Sequence, residues 1–352
     1  MTALGDLLIA RIARTGPISL ADYMADCLMH PQHGYYATRD PFGAAGDFTT
    51  APEISQMFGE LIGLLLAQAW MDQGQPEQIT LAELGPGRGT LMADALRATK
   101  AVPGFHAALS VHLVETSPVL RTAQAKLIPQ ATWHDSVATL PDAPLFLIAN
   151  EFFDALPIRQ FIREGDGWRE KMVGVTDNGL SFGLSAPAPI ALLEDRLQDT
   201  KDGDLVEYCP ALPAIVTSVS DKIAAYGGCA LIIDYGDWQS LGDTLQALRA
   251  QDHADPLANP GAADLTAHVD FAAIAAHAGP AKFSRLTPQG IFLERLGITQ
   301  RAQSLATKLT GDALTSHIAA HRRLTHPGEM GDLFKVIGIY PPDANPPPGL
   351  EP

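Results

Sequence analysis

Positive charge is scarce in this chain. Among 352 residues, 24 Lys and Arg stand against 40 Asp and Glu, a formal net charge of −16. So acidic a surface gives no footprint for a phosphate backbone, which excludes nucleic acid as a partner; cationic ligands are favoured instead. Cysteine is scarcer still. Cys27, Cys209 and Cys229 lie far apart with no CxxC pair, which excludes a disulfide framework and fits a reducing compartment. Long hydrophobic runs are missing: the richest, Leu61 to Trp70, contains Gln68 and is too short for a membrane span. The N-terminus carries neither a charged-then-apolar leader nor an Arg/Ser-rich transit segment, so the expected location is the cytosol. With 46% hydrophobic and 18% charged residues, disorder as the main state is also excluded.

What is there reads as an α/β chain. Leu4, Leu7, Leu8 and Ile12 recur at helical spacing, and Ser19 is a plausible cap for a second helix after Pro17. A turn-rich stretch, His30 to Tyr36, leads into the glycines of 43–46, and Pro52 opens an apolar helix on which Gly59 and Gly63 predict close packing. Residues 1–55 are therefore expected to form an N-terminal helical cap and lid. From residue 79 strands and helices alternate: Ile79–Leu84, Val111–Val114, Ala131–His134 and Leu145–Ala149 read as strands, with helices over Leu91–Ala98 and Pro118–Leu127. Repeated strand–turn–helix units imply a doubly wound parallel sheet. The core is expected over 56–340, with a β-rich insertion at 158–184, a loop-rich one at 236–264, and a disordered Pro-rich tail at 341–352. The sequence leaves the oligomeric state open.

The central signal is Glu83-Leu84-Gly85-Pro86-Gly87-Arg88-Gly89, directly between a strand and a helix. Without Cβ atoms, Gly85, Gly87 and Gly89 let the backbone turn tightly and let a ligand lie against its N–H groups. The spacing is neither that of the dinucleotide loop nor that of a Walker A loop. Each later strand also ends in a hydrogen-bonding side chain: Glu115, Asp135, then Asn150-Glu151. Ligands in open α/β sheets sit at these carboxyl ends, so the side chains converge on whatever the glycines hold. Glu115 suits the two hydroxyls of a ribose, and Asp135 the amino group of an adenine.

This combination resembles the class I S-adenosylmethionine-dependent methyltransferases. Longer stretches narrow the match: His30 to Tyr36, Gly46 to Glu60, the glycine loop, Asn150 to Pro157, Ile233-Asp234-Tyr235-Gly236 and Asp264 to Phe271 are similar to the MidA family, in order and from about residue 4 to 340. The resemblance implies a Rossmann-like methyltransferase fold, S-adenosylmethionine as cofactor, and methylation of arginine on a protein such as a respiratory complex I subunit. On that footing Glu83, Gly85, Gly87, Gly89, Glu115, Asp135 and Asn150 are expected to hold the cofactor, with Asp47 and Thr49 closing over it as a lid.

Glu151 and Asp154 supply two carboxylates beside the site of methyl transfer. A guanidinium is planar and binds carboxylates in bidentate fashion, so this pair is the expected catalytic element, with Asp154 subordinate to Glu151. His317 and His321 are one helical turn apart and His326 follows, but no carboxylate or Cys stands at the companion spacing of a zinc helix, so no metal is expected. Two other readings stay open: a methyltransferase acting on a small molecule, and a non-catalytic assembly chaperone that keeps the fold.

Overall fold

A computed structural model describes residues 2–38, 50–249 and 252–352. Asp47, Thr49 and nearly all of the expected lid lie outside the described residues. The main sheet runs, edge to edge, Lys282–Phe283, Phe334–Tyr340, Gly228–Asp237, Leu145–Asn150, Ile79–Leu84, Leu109–Val114, Thr132–His134. Neighbours from Gly228–Asp237 through to Thr132–His134 are parallel, whereas Phe334–Tyr340 is antiparallel. The chain proceeds outward from Ile79–Leu84 to Thr132–His134 and then crosses back to Leu145–Asn150 on the other side. That reversal opens a crevice at the carboxyl ends of the two central strands.

Both central strands are buried along their whole length, as layers of helix on each face require. On one face Phe58, Ile62 and Leu66 pack with Leu81, Phe146 and Leu231; on the other Val216 and Ile223 pack with Leu147 and Ala230. Gly59 and Gly63 do set close helix packing. A Cβ on Gly63 would lie 2.6 Å from the Ala95 Cα, and one on Gly59 2.8 Å from the Asp94 Cβ, both on the helix Thr90–Thr99. The helix expected to open at Pro52 is two helices, Ala51–Ile54 and Gln56–Asp72. Ser55 breaks them with extended backbone and caps the second through its hydroxyl.

The cap and the two insertions form one further lobe. Ile18–Ser19 pairs antiparallel with Gly167–Thr176, in a sheet with Arg159–Glu164, Gly179–Leu184 and Leu205–Tyr208. The second insertion is a small antiparallel sheet of Gln246–Arg249, Asp252–His253 and Asp264–Thr266 rather than plain loop. Leu4, Leu8 and Tyr23 share a core with Ile158 and Val173 and with Ala247 and Leu265. None of the three segments has enough apolar surface alone, so each completes the others. The tail corrects the expectation of disorder. Leu350 is buried against Gly338, whose missing side chain makes the room, and Glu351 pairs with Arg295 at 2.6 Å.

Candidate active site

A cavity of about 570 Å³ occupies the crevice, within the range of small-molecule sites. Of the residues expected from sequence, Glu83, Gly85, Gly87, Glu115, Asp135, Asn150, Glu151 and Asp154 line it. Gly89 does not. It caps the helix Thr90–Thr99 at φ 87°, where a Cβ would press on Ile128, so its role is packing. Thr90, the first residue of that helix, donates its hydroxyl to Glu53. The loop glycines have φ of 59° at Gly85 and 54° at Gly87, a region that disfavours side chains.

Two side chains that sequence reasoning did not single out tie this half together. Gln124, fully buried, donates to the Gly87 carbonyl at 2.7 Å and to Glu115 at 3.2 Å, while Trp133 donates to its amide oxygen at 2.8 Å. Glu115 also accepts from the Ser117 N–H at 2.8 Å. Arg121 donates to the Glu115 and His134 carbonyls and pairs with Asp135. Asp135 is 84% exposed at the rim of the cavity. Glu83 is 3% exposed, its Oε2 lacks any partner, and burial pushes its pKa to about 8, only partly offset by the Met92 N–H.

The other half is built on Asp234. At 0% exposure, its Oδ2 accepts from the N–H groups of Phe152, Phe153 and Asp154 at 3.2, 3.0 and 3.3 Å, and its Oδ1 from Tyr235 at 3.0 Å. Glu151 holds φ 52°, a strained value for a side-chain-bearing residue. The backbone is pinned there by a bond from its N–H to the Ile233 carbonyl, and its Oε1 accepts from Ala51 N–H at 3.0 Å and Asn150 at 3.1 Å. Burial raises Glu151 to about 7 and Asp154 to about 6; Asp234 is raised too, by burial and by the neighbouring Asp154 and Glu151. Asp154 is 7% exposed, and its buried Oδ1 has no hydrogen-bond partner among the described residues.

His317 and His321 lie outside this region. His317 bonds the Ala302 carbonyl, and His321 bonds Thr299. Among the described residues, no helix is long and apolar enough to cross a membrane.

The residues present fit S-adenosylmethionine. Gly85, Gly87 and Glu115 line one cavity, and the buried Asn150 Oδ1 and Glu83 Oε2 beside it lack hydrogen-bond partners among the described residues. Residues 61–289 match the model of a family described as S-adenosyl-L-methionine-dependent methyltransferases. A protein of Xenopus laevis, "Protein arginine methyltransferase NDUFAF7, mitochondrial", is 37% identical over 96% of this chain and 84% of its own. The Homo sapiens protein of the same name is 35% identical over 95% and 82%. A crystal structure from Burkholderia thailandensis bound to S-adenosyl-homocysteine superposes with a TM-score of 0.81 at 30% identity, covering 96% of this chain and 92% of that one. The order of the strands, the glycine loop and these relatives agree, and the chain belongs to the MidA-like family of S-adenosylmethionine-dependent methyltransferases.

Proposed function

We propose that this enzyme methylates arginine on a protein substrate. The observation that carries the reading is acidity: among the described residues, seven acidic side chains (Glu53, Glu83, Glu115, Asp135, Glu151, Asp154, Asp264) line the cavity, against Arg88 as its only Lys or Arg. A sulfonium cofactor and a guanidinium acceptor are both cations, and bringing them together requires compensating charge. The relatives named arginine methyltransferases support arginine as that acceptor.

S-adenosylmethionine supplies the electrophilic methyl. Glu151 and Asp154 orient the guanidinium and draw its positive charge toward one side, leaving the far nitrogen the better nucleophile. With pKa values near 7 and 6, either carboxylate accepts a proton near neutral pH, as a general base should. The Ile233 carbonyl and the Asp234 carboxylate fix the backbone that carries them. The resemblance of the sequence motifs supports a subunit of respiratory complex I as the target, and three unpaired cysteines fit the bacterial cytoplasm.

The test is incubation with radiolabelled S-adenosylmethionine and a lysate from a deletion strain, followed by mass spectrometry. Label on arginine of one protein is the expected result. Label only in the small-molecule fraction, or tight cofactor binding with no transfer at all, would replace this reading by one of its two rivals.

A further inference from the structure

If the acceptor is a guanidinium, it needs a seat wider than Glu151 alone, whose Oε1 already holds Ala51 and Asn150. The next carboxylate, Asp154, lines the same cavity, and its buried Oδ1 has no hydrogen-bond partner among the described residues. Tyr36, Tyr235, Asp264 and Thr266 line the same cavity. They come from the cap, the end of the strand Gly228–Asp237 and the second insertion, segments brought together only by the fold.

We infer that the substrate guanidinium is seated between Asp154 and Asp264, with the rings of Tyr36 and Tyr235 as its walls. A planar fork of N–H donors matches two carboxylates, and aromatic faces favour a weakly hydrated cation. The seat is held on each side. Tyr36 donates its hydroxyl to Asp264 at 2.9 Å, and the Ala267 N–H bonds the Asp154 carbonyl at 3.0 Å, docking the insertion on the catalytic loop. Tyr235 stands edge-on to His268 and Phe334, with ring centroids 5.3 and 5.5 Å away. Burial, and after it the charges of Asp264 and Asp154, raise the Tyr36 hydroxyl. An alkylammonium lacks the planar fork of donors that two carboxylates match.

This inference rests on the arginine reading, and one experiment separates the two. Nα-acetyl-arginine amide is titrated into protein saturated with S-adenosyl-homocysteine and followed by ligand-observed NMR, with the citrulline and lysine amides as controls. The arginine amide should bind and both controls should not. Asp264→Asn and Tyr36→Leu should each weaken it roughly tenfold or more, the scale of one lost charge-assisted contact. Affinity for S-adenosyl-homocysteine, measured alongside, should stay within about twofold, since neither residue is expected on the cofactor. Tyr36→Phe, which keeps ring and volume, should lose only a few-fold and serves if Asp264→Asn fails to fold. Unchanged arginine binding in Asp264→Asn and Tyr36→Leu, or in Tyr36→Leu if only that variant folds, overturns the seat and leaves the arginine reading standing. No arginine binding to the unaltered protein, or binding of lysine in its place, overturns the reading beneath it.

Discussion

Asp234 holds Asp154 by its backbone: the Asp234 Oδ2 accepts the Asp154 N–H at 3.3 Å, while the Asp154 side chain lines the cavity with one oxygen unpartnered. One carboxylate thus satisfies main-chain groups, while the other lines the cavity. The two do different work although both are buried acids at strand ends. Removing Asp234 strands several buried N–H groups at once, each costing about 1–3 kcal/mol. Asp234→Ala should therefore lower stability by about 3 kcal/mol or more in urea unfolding; a loss below about 1 kcal/mol would mean the loop is held by other bonds.

Glu151→Gln keeps the acceptor for Ala51 and removes the charge. Methyl transfer should fall by roughly 10²-fold with S-adenosyl-homocysteine affinity nearly unchanged, the scale of losing one electrostatic stabiliser. Asp154→Asn should cost at least as much, because its buried side chain lines the cavity. Steady-state rates on the identified substrate decide, and full activity in either variant would make that residue structural.

Gly87→Val should abolish cofactor binding in a folded protein. At φ 54° a β-branched side chain is strained and would fill the space against the loop. Calorimetry is the measurement, with circular dichroism as the control for folding.

Glu83, Glu151 and Asp154 all have folded pKa values above the ordinary carboxylate range. The folded state therefore binds more protons than the unfolded one, and these groups lower the stability of the ligand-free protein as pH rises from about 4.5 to 8. Glu83→Gln should melt higher than the unaltered protein at pH 8.5 and match it near pH 5. A cation binds the ionised carboxylates, so its affinity should rise between pH 5.5 and 7.5 with release of protons. Calorimetry in buffers of different ionisation enthalpy reads that release, and proton uptake would refute the sign.

Gly63→Val should destabilise the protein by about 2–3 kcal/mol, since the new side chain meets the Ala95 backbone and a close-packed pair of helices cannot part cheaply.

Much of this was legible in the chain itself. Apolar runs bounded by turns located the parallel strands, and acids placed at their ends located the cavity, because both follow from local pattern and from the geometry of any open α/β sheet. The glycine loop was likewise readable, except that Gly89 serves packing against Ile128, a neighbour distant in sequence. Only the tertiary structure decided the rest. Nothing near Asp234 or Gln124 reveals that each binds groups 80 or 37 residues away. The tail looked disordered because proline fixes its backbone, yet Leu350 is buried where Gly338 leaves room. Asp154 and Asp264, 110 residues apart, line one cavity for the same reason: side-chain chemistry is written locally, but which side chains share a cavity is set by how the cap and insertions share a core.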